Sequence, residues 1–312
     1  MLTSEVISTG QSDMLQEIQH IPVMLKEVVE NLNLSPGACI VDCTLGLGGH
    51  AVAIAKQIGP QGLLIGIDRD EESIRLARES LQQESARFDI VQDDYRNIDK
   101  ILDKLGVKKV DGIVFDLGIS SYQLSSPARG FSFNSEGPLD MRLDQNSYIS
   151  AYDIVNSLSE KEISTILRNF GQERWHNRIA HYVVEQRNKK PIASTKDLSD
   201  TVLRAIPARF RRQRIHPATR TFQAIRIAVN RELESLEIAL EKCINYLKIG
   251  GRISVISFHS LEDKIVKEKF RHFNKIGQLS LIVKKPLRPT EEEVRNNGRS
   301  RSARLRVAER IN

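Results

Sequence analysis

Ile40-Val41-Asp42-Cys43-Thr44-Leu45-Gly46-Leu47-Gly48-Gly49-His50 is a short apolar run that ends in an acid and breaks into glycines just before a helical pattern begins. That order reads as a strand, a ligand-binding loop and a helix N-terminus. Glycines at 46, 48 and 49 permit a tight turn and leave no Cβ in the way of a ligand, so backbone N–H groups can point at a bound molecule. The next apolar run, Leu63-Leu64-Ile65-Gly66-Ile67, ends in Asp68. This acid lies nineteen residues past Gly49, where a carboxylate accepts hydrogen bonds from a ribose diol.

Working outward, apolar runs near 39–43, 63–67, 88–91 and 111–115 predict buried strands. Between them, 49–58, 70–82 and 97–105 carry apolar residues at helical intervals, as in Ile74, Leu76-Ala77 and Leu81. Repeated β-α units with acids at the strand ends predict an α/β, Rossmann-like, doubly wound parallel sheet.

Charge bears on which nucleoside ligand such a loop would take. Gly46-x-Gly48-x-x-Ala51 satisfies the dinucleotide fingerprint in form, so an NAD(P)-dependent oxidoreductase is one reading. Asp42, however, stands just before the loop, and Asp116 ends a further apolar run, Gly112-Ile113-Val114-Phe115. Two carboxylates at the rim of the crevice disfavour a pyrophosphate. S-adenosylmethionine carries a sulfonium and an α-ammonium there instead, and would find those acids favourable.

A length of 312 residues with 40% apolar content suggests about two domains with a real core. No run approaches a membrane span, and residues 1–20 are polar, unpatterned and unlike a signal peptide, so they read as a mobile tail. A cytoplasmic protein without a membrane partner is expected. Cys39, Cys43 and Cys243 lack metal-ligand spacing and fall in apolar patterns, as buried reduced thiols do, and the seven histidines form no ligating motif. No protein-held metal is expected.

After Asp116 the β-α alternation stops for about a hundred residues. Ser120 to Met141 is polar and aromatic, and 152–158, 160–169, 174–186 and 195–205 carry helical spacing, with Ser159 and either Ser194 or Thr195 as N-caps. One long helix is then expected from about Ala218 to Leu247, ended by Gly250-Gly251, with the next strand at 252–258. Alternation at 279–285 and 303–308 predicts an antiparallel edge pair. The domain boundaries that follow are a tail at 1–19, a discontinuous α/β domain at 20–125 and 218–312, and an inserted all-helical domain at 126–217.

The net charge of +6 is too modest to prove a polyanion partner, but its distribution is informative. From Arg204 to Arg226 there are seven arginines and no acid. Guanidinium groups suit phosphate oxygens in a planar fork, although a solvated basic loop has the same composition. Arg209, Arg211, Arg212, Arg214 and Arg220 are the candidates for contacts with an RNA backbone.

Five further blocks carry a resemblance. They are Asp116-Leu117-Gly118-Ile119-Ser120-Ser121-Tyr122-Gln123-Leu124, Arg129-Gly130-Phe131-Ser132-Phe133, Gly137-Pro138-Leu139-Asp140-Met141-Arg142, His216-Pro217-Ala218-Thr219-Arg220-Thr221-Phe222-Gln223-Ala224 and Ser257-Phe258-His259-Ser260-Leu261-Glu262-Asp263. In this order, over about 20–310, the chain resembles the MraW/RsmH family of bacterial 16S rRNA methyltransferases. The resemblance implies a class I methyltransferase sheet, S-adenosylmethionine as cofactor, the small ribosomal subunit as partner, and methyl transfer to N4 of a cytosine in the decoding centre. It implies cofactor contacts at Gly48, Gly49, His50, Asp68, Tyr95, Asp116 and Gln123, and makes 126–217 the substrate-recognition insert. A homodimer is left open.

The residue types suit those roles. Asp68 can take ribose hydroxyls, Tyr95 offers adenine a flat face, and loop amides approach the methionine end. Simple packing would equally explain Tyr95, and His50 could contribute only its backbone N–H. An exocyclic cytosine amine is a poor nucleophile, so catalysis needs alignment and a hydrogen-bond acceptor. Asp116 is the first candidate for that acceptor and Asp140 the second. Methylation at carbon would need a cysteine thiolate; Cys43 is the one cysteine near the loop, and the charge of Asp42 opposes its ionisation. The target base must be unpaired or flipped out, and Phe131, Phe133 and Phe222 are either stacking surfaces or core. A ribosome-assembly factor without catalytic activity would share the fold and the basic face.

Overall fold

The computed structural model describes residues 21–211 and 215–312, so the tail expected at 1–19 and the candidates Arg212 and Arg214 lie outside the described residues. Two compact units emerge: Met1–Tyr122 with Ala239–Asn312, and Gln123–Ile238. The second begins and ends elsewhere than the expected 126–217, and the partition falls inside the helix Glu232–Tyr246.

The first unit is built on a seven-stranded sheet of order β3-β2-β1-β4-β5-β7-β6. Its strands are β1 Cys39–Asp42, β2 Leu63–Asp68, β3 Arg87–Gln92, β4 Val110–Asp116, β5 Leu247–Ser257, β6 Leu279–Leu281 and β7 Arg304–Arg310. The first five pair in parallel, and β7 runs antiparallel between β5 and β6. This is the expected Rossmann-like, doubly wound sheet with its antiparallel edge. Ile40, Val41, Leu64, Ile65, Ile113 and Val114 are all buried, as central parallel strands covered on both faces must be. The chain order reverses between β1 and β4, and in such sheets the crevice for ligands opens at the carboxyl ends of the strands there.

Helices Gly49–Ile58, Glu71–Leu81 and Ile98–Lys104 connect these strands within about a residue of expectation. Helices Leu25–Leu32 and Ser260–Lys275 had not been anticipated. The second has a readable signal: His259 accepts from the Glu262 N–H while the Glu262 carboxylate accepts from the His259 N–H, a capping box with histidine in the usual serine position.

The described part of the second unit is helical, with Ala151–Ser157, Glu160–Gly171, His176–Lys189, Thr195–Ala205 and Thr219–Asn230. Capping boxes at Ser150, Ser159 and Ser194 start three of them, which settles the choice between Ser194 and Thr195. The loop before them is folded tightly on itself: a Cβ on Gly137 would stand 1.8 Å from the Pro127 carbonyl oxygen. Only glycine fits there.

Three expectations are corrected. The single helix 218–247 is two helices, Thr219–Asn230 and Glu232–Tyr246, separated by Arg231 in the left-handed region at φ 51°. Gly250 and Gly251 do not end a helix; they lie inside β5, which starts at Leu247 and is irregular in register opposite Val110–Gly112. The edge strand expected at 279–285 is shorter, Leu279–Leu281, with one further backbone bond from the Ile282 N–H to the Val307 carbonyl at 3.1 Å.

Candidate active site

The glycine loop continues β1 and is fastened by three hydrogen bonds to the ends of β2 and β4. Cys43 N–H donates to the Val114 carbonyl at 2.9 Å, Leu45 N–H to Ile67 at 3.0 Å, and the Asp116 N–H to Thr44 Oγ1 at 2.6 Å. Gly66 makes the second of these possible, since a Cβ there would meet the Leu45 side chain at 2.8 Å. Gly48 at φ 84° turns the chain into the helix Gly49–Ile58, whose first N–H groups have no intrahelical acceptor. The loop is thus a rigid rim with donors along it.

The three strand-end acids, alike in sequence, differ in their surroundings. Asp42 is 2% exposed and its Oδ1 accepts from the Thr44 N–H at 3.0 Å. Burial pushes its carboxyl up to about 6, against the pull of His50 and that N–H. It braces the loop instead of lining an open crevice, contrary to the charge argument from sequence. Asp68 accepts from Gly46 N–H at 2.7 Å through Oδ2 and from Asp70 N–H at 2.9 Å through Oδ1. Burial raises it and these bonds oppose the rise. A carboxylate oxygen has two lone pairs, so Asp68 retains acceptor capacity for a diol.

Asp116 is the exception. Its Oδ1 is buried without a hydrogen-bond partner, while Oδ2 faces His50 Nδ1 at 3.6 Å. Burial pushes the carboxyl up to about 7, with the Arg299 guanidinium opposing and Glu262 reinforcing the rise. His50 is itself buried and shifted toward neutrality, and its Nε2 lies 3.0 Å from the Val23 carbonyl. A carbonyl can only accept, so the Nε2 proton is committed and neutral His50 turns a bare Nδ1 toward Asp116. The pair can share one further proton.

Tyr95 follows β3 on a 3-10 turn and meets Phe115 edge-on, ring centroids 5.4 Å apart at 84°, which fixes its plane. Arg299 was not anticipated. It arrives from the far end of the chain and donates to Ser121 Oγ and the Ile119 carbonyl, holding the loop after β4. Nothing in the basic C-terminal stretch singles it out. A cleft of about 730 Å³ touches the loop only at Leu47, Gly48 and Gly49; it runs between helices Gly49–Ile58 and Glu71–Leu81, and Asp68, Tyr95 and Asp116 do not line it.

Gln123 and Asp140 belong to the second unit. Gln123 is 3% exposed. Asp140 pairs with Arg142 through both oxygens, at 2.9 and 2.7 Å, and although burial acts upward these bonds hold its carboxyl below the usual range. A carboxylate so engaged is a poor proton acceptor. Phe131 and Phe222 are buried, and Phe133 stacks on His216 at 4.5 Å, so the phenylalanines pack the unit. Arg209 is exposed, Arg211 donates to the Ile206 carbonyl and Arg220 to the Gln172 carbonyl.

Residues 17–311 match the MraW methylase family. The chain belongs to that family. Among similar proteins, ribosomal RNA small subunit methyltransferase H of Caldicellulosiruptor saccharolyticus is 46% identical over 308 residues, 94% of this chain and 99% of that one. The protein of the same name from Clostridioides difficile is 44% identical, over 95% of this chain and 100% of its own. Among solved structures, fibrillarin of Aeropyrum pernix with natively bound S-adenosyl-L-methionine covers 96% of this chain and 74% of its own, at TM-score 0.40 and 11% identity. No helix among the described residues is long and apolar enough to cross a membrane.

Proposed function

We propose that this member of the MraW methylase family is an S-adenosylmethionine-dependent methyltransferase of small-subunit ribosomal RNA, acting on N4 of a decoding-centre cytosine in 16S rRNA. Family membership and the name shared by its relatives support the RNA. The sequence blocks that resemble the MraW/RsmH family support the base. The observation that carries the chemistry is the orphaned Oδ1 of Asp116, a buried acceptor at the switch point of the sheet. Such an atom costs free energy until it meets a donor or a cation, and a pyrophosphate offers neither.

When bound, S-adenosylmethionine supplies a methyl group on a positively charged sulfur. The residues of this chain would bind and orient it: Asp68 at the ribose, Tyr95 at the adenine, and the N–H groups of Gly48, Gly49 and His50 with Gln123 at the remaining polar edge. Asp116 has the acceptor that an amine N–H needs, and its proximity to His50 gives the proton released from N4 a place to go. Alignment of amine and methyl accounts for the larger share of the barrier lowering, on the order of 7–11 kcal/mol at best. Attack by a cysteine at carbon is disfavoured, because burial, then Cys243 and Asp42, raise the Cys43 thiol.

Calorimetric titration with S-adenosylmethionine and with NADH tests the pocket, with binding of the first alone expected. Nucleoside mass spectrometry of rRNA from cells lacking the gene tests the reaction. Loss of N4-methylcytidine is expected, and an unchanged level would leave the protein a binding role only.

A further inference from the structure

The helical unit carries an arrangement of side chains that its packing does not require. Arg174 lies over the Trp175 ring at 5.3 Å and over Phe210 at 5.6 Å, Arg209 over Phe210 at 4.8 Å, and Arg178 over Tyr182 at 5.4 Å. Trp175 and Phe210 themselves meet at 5.3 Å. Energetic cation–π contacts occur about once per 70–80 residues in general, so four within one short stretch of surface is a marked concentration. All three arginines are exposed, so the contacts do not serve to bury a charge. Arg178 uses Nε on the Ala205 carbonyl, whereas among the described residues neither Arg174 nor Arg209 donates a hydrogen bond to protein. The acid within the run, Glu173, is buried and turned inward, its Oε1 accepting from the Trp175 N–H at 2.8 Å.

We propose that Arg174, Trp175, Arg178, Tyr182, Arg209 and Phe210 form a binding surface for unpaired RNA, with guanidinium groups on phosphates and aromatic faces on bases. The proposal rests on ribosomal RNA being the substrate, and it names where the helical unit grips it. Flat rings accept any base by stacking, and guanidinium groups ordered on those rings lose less freedom when they meet phosphate. A surface of this composition holds RNA in place without reading its sequence. Of the three described residues expected from sequence to touch the backbone, Arg209 belongs to it and Arg211 and Arg220 bond to other carbonyls; Arg174 and Arg178 sit in a helical stretch whose spacing gives no hint of Phe210 nearby.

Trp175 is the one tryptophan of the chain, so its emission reports on this surface alone. The experiment titrates oligocytidylate, and separately isolated small ribosomal subunits, into the full-length protein at several salt concentrations. Oligocytidylate should quench Trp175. Arg174→Ala and Arg209→Ala should each weaken binding and lower the salt slope by about one. Phe210→Ala should weaken it roughly five- to hundredfold at unchanged slope. Arg174→Lys should keep the slope and lose part of the affinity. Circular dichroism and unchanged S-adenosylmethionine affinity show that the variants fold. Unaltered affinity and slope in all variants, an emission that RNA does not move, or equal quenching by polyglutamate would each overturn the surface. If wild-type protein fails to methylate subunits yet binds oligocytidylate through these residues, the function assigned above fails and the surface stands. Should wild type and variants methylate subunits with the same KM, the surface falls and the function remains.

Discussion

Binding of S-adenosylmethionine should depend on pH with a midpoint set by Asp116. Its carboxyl rises from an ordinary 3.8 to about 7 because it is buried, and only its ionised form attracts a sulfonium or an ammonium. At pH 5.5 about 3% of a group titrating near 7 is ionised, and at pH 7.5 about three-quarters, so affinity should rise about twentyfold across that window. The window ends there because an α-amino group begins to lose its own proton near 8. Asp42, pushed up to about 6, adds a smaller change of the same sign, about fourfold. Isothermal titration at five or so pH values, with Asp116→Asn beside wild type, reads this directly. The variant should bind weakly and retain no more than the smaller dependence. A flat wild-type profile, or an undiminished slope in Asp116→Asn, would refute the reasoning.

The same shift makes Asp116 costly to the fold. The folded state holds a proton between about pH 4 and 7 that the unfolded chain has released, so stability falls as pH rises through that range, and Asp116→Asn should raise the melting temperature at pH 8 by an amount worth at most about 4 kcal/mol. Arg299→Met removes the guanidinium that opposes the rise, so the binding midpoint should move to higher pH, and Arg299→Lys should restore it; an unmoved midpoint would reduce Arg299 to a loop tether. Asp68→Ala should weaken cofactor binding at every pH and loosen the glycine loop by freeing the Gly46 N–H, visible as faster amide exchange there. Asn230 is 2% exposed, donates to the Met141 carbonyl at 2.8 Å and accepts from the Leu143 N–H at 2.8 Å; Asn230→Ala should cost about 2–4 kcal/mol in urea denaturation, and a cost under about 0.5 would show those groups finding other partners.

The sheet was legible because its central strands β1, β2 and β4 carry continuous apolar runs closed by acids, a pattern that survives without any knowledge of neighbours. The break at Arg231 was not, because Ile225, Val229, Leu233 and Leu236 keep helical spacing across it and no glycine or proline marks it. The last residue before the break, Asn230, bonds to Met141 and Leu143, nearly ninety positions earlier, a long-range tie that local periodicity does not carry. Gly250 and Gly251 misled in the opposite sense. A Cβ on Gly251 would press on the Lys248 and Asp111 carbonyl oxygens at 2.9 and 3.0 Å, so glycine is required there by the irregular pairing of β5 with β4 and not by a helix end.

The candidate site shows a different limit. Sequence places Asp42, Asp68 and Asp116 alike at the carboxyl ends of parallel strands, and although spacing gives Asp68 the ribose, it cannot show which of their oxygens are already engaged. The structure ranks them by what their oxygens already hold. Asp42 is sealed behind Thr44, Asp68 is occupied by two backbone donors with lone pairs in reserve, and Asp116 keeps one oxygen with no donor at all. Hydrogen bonds of that kind depend on which backbone N–H groups a loop happens to turn inward, and therefore on Gly46, Gly48 and Gly66 more than on the acids themselves. A fold that satisfies two of three strand-end carboxylates and leaves one oxygen of the third without a hydrogen-bond donor bears that desolvation cost at one position only. That position is where a cationic methyl donor and an amine N–H would both gain most.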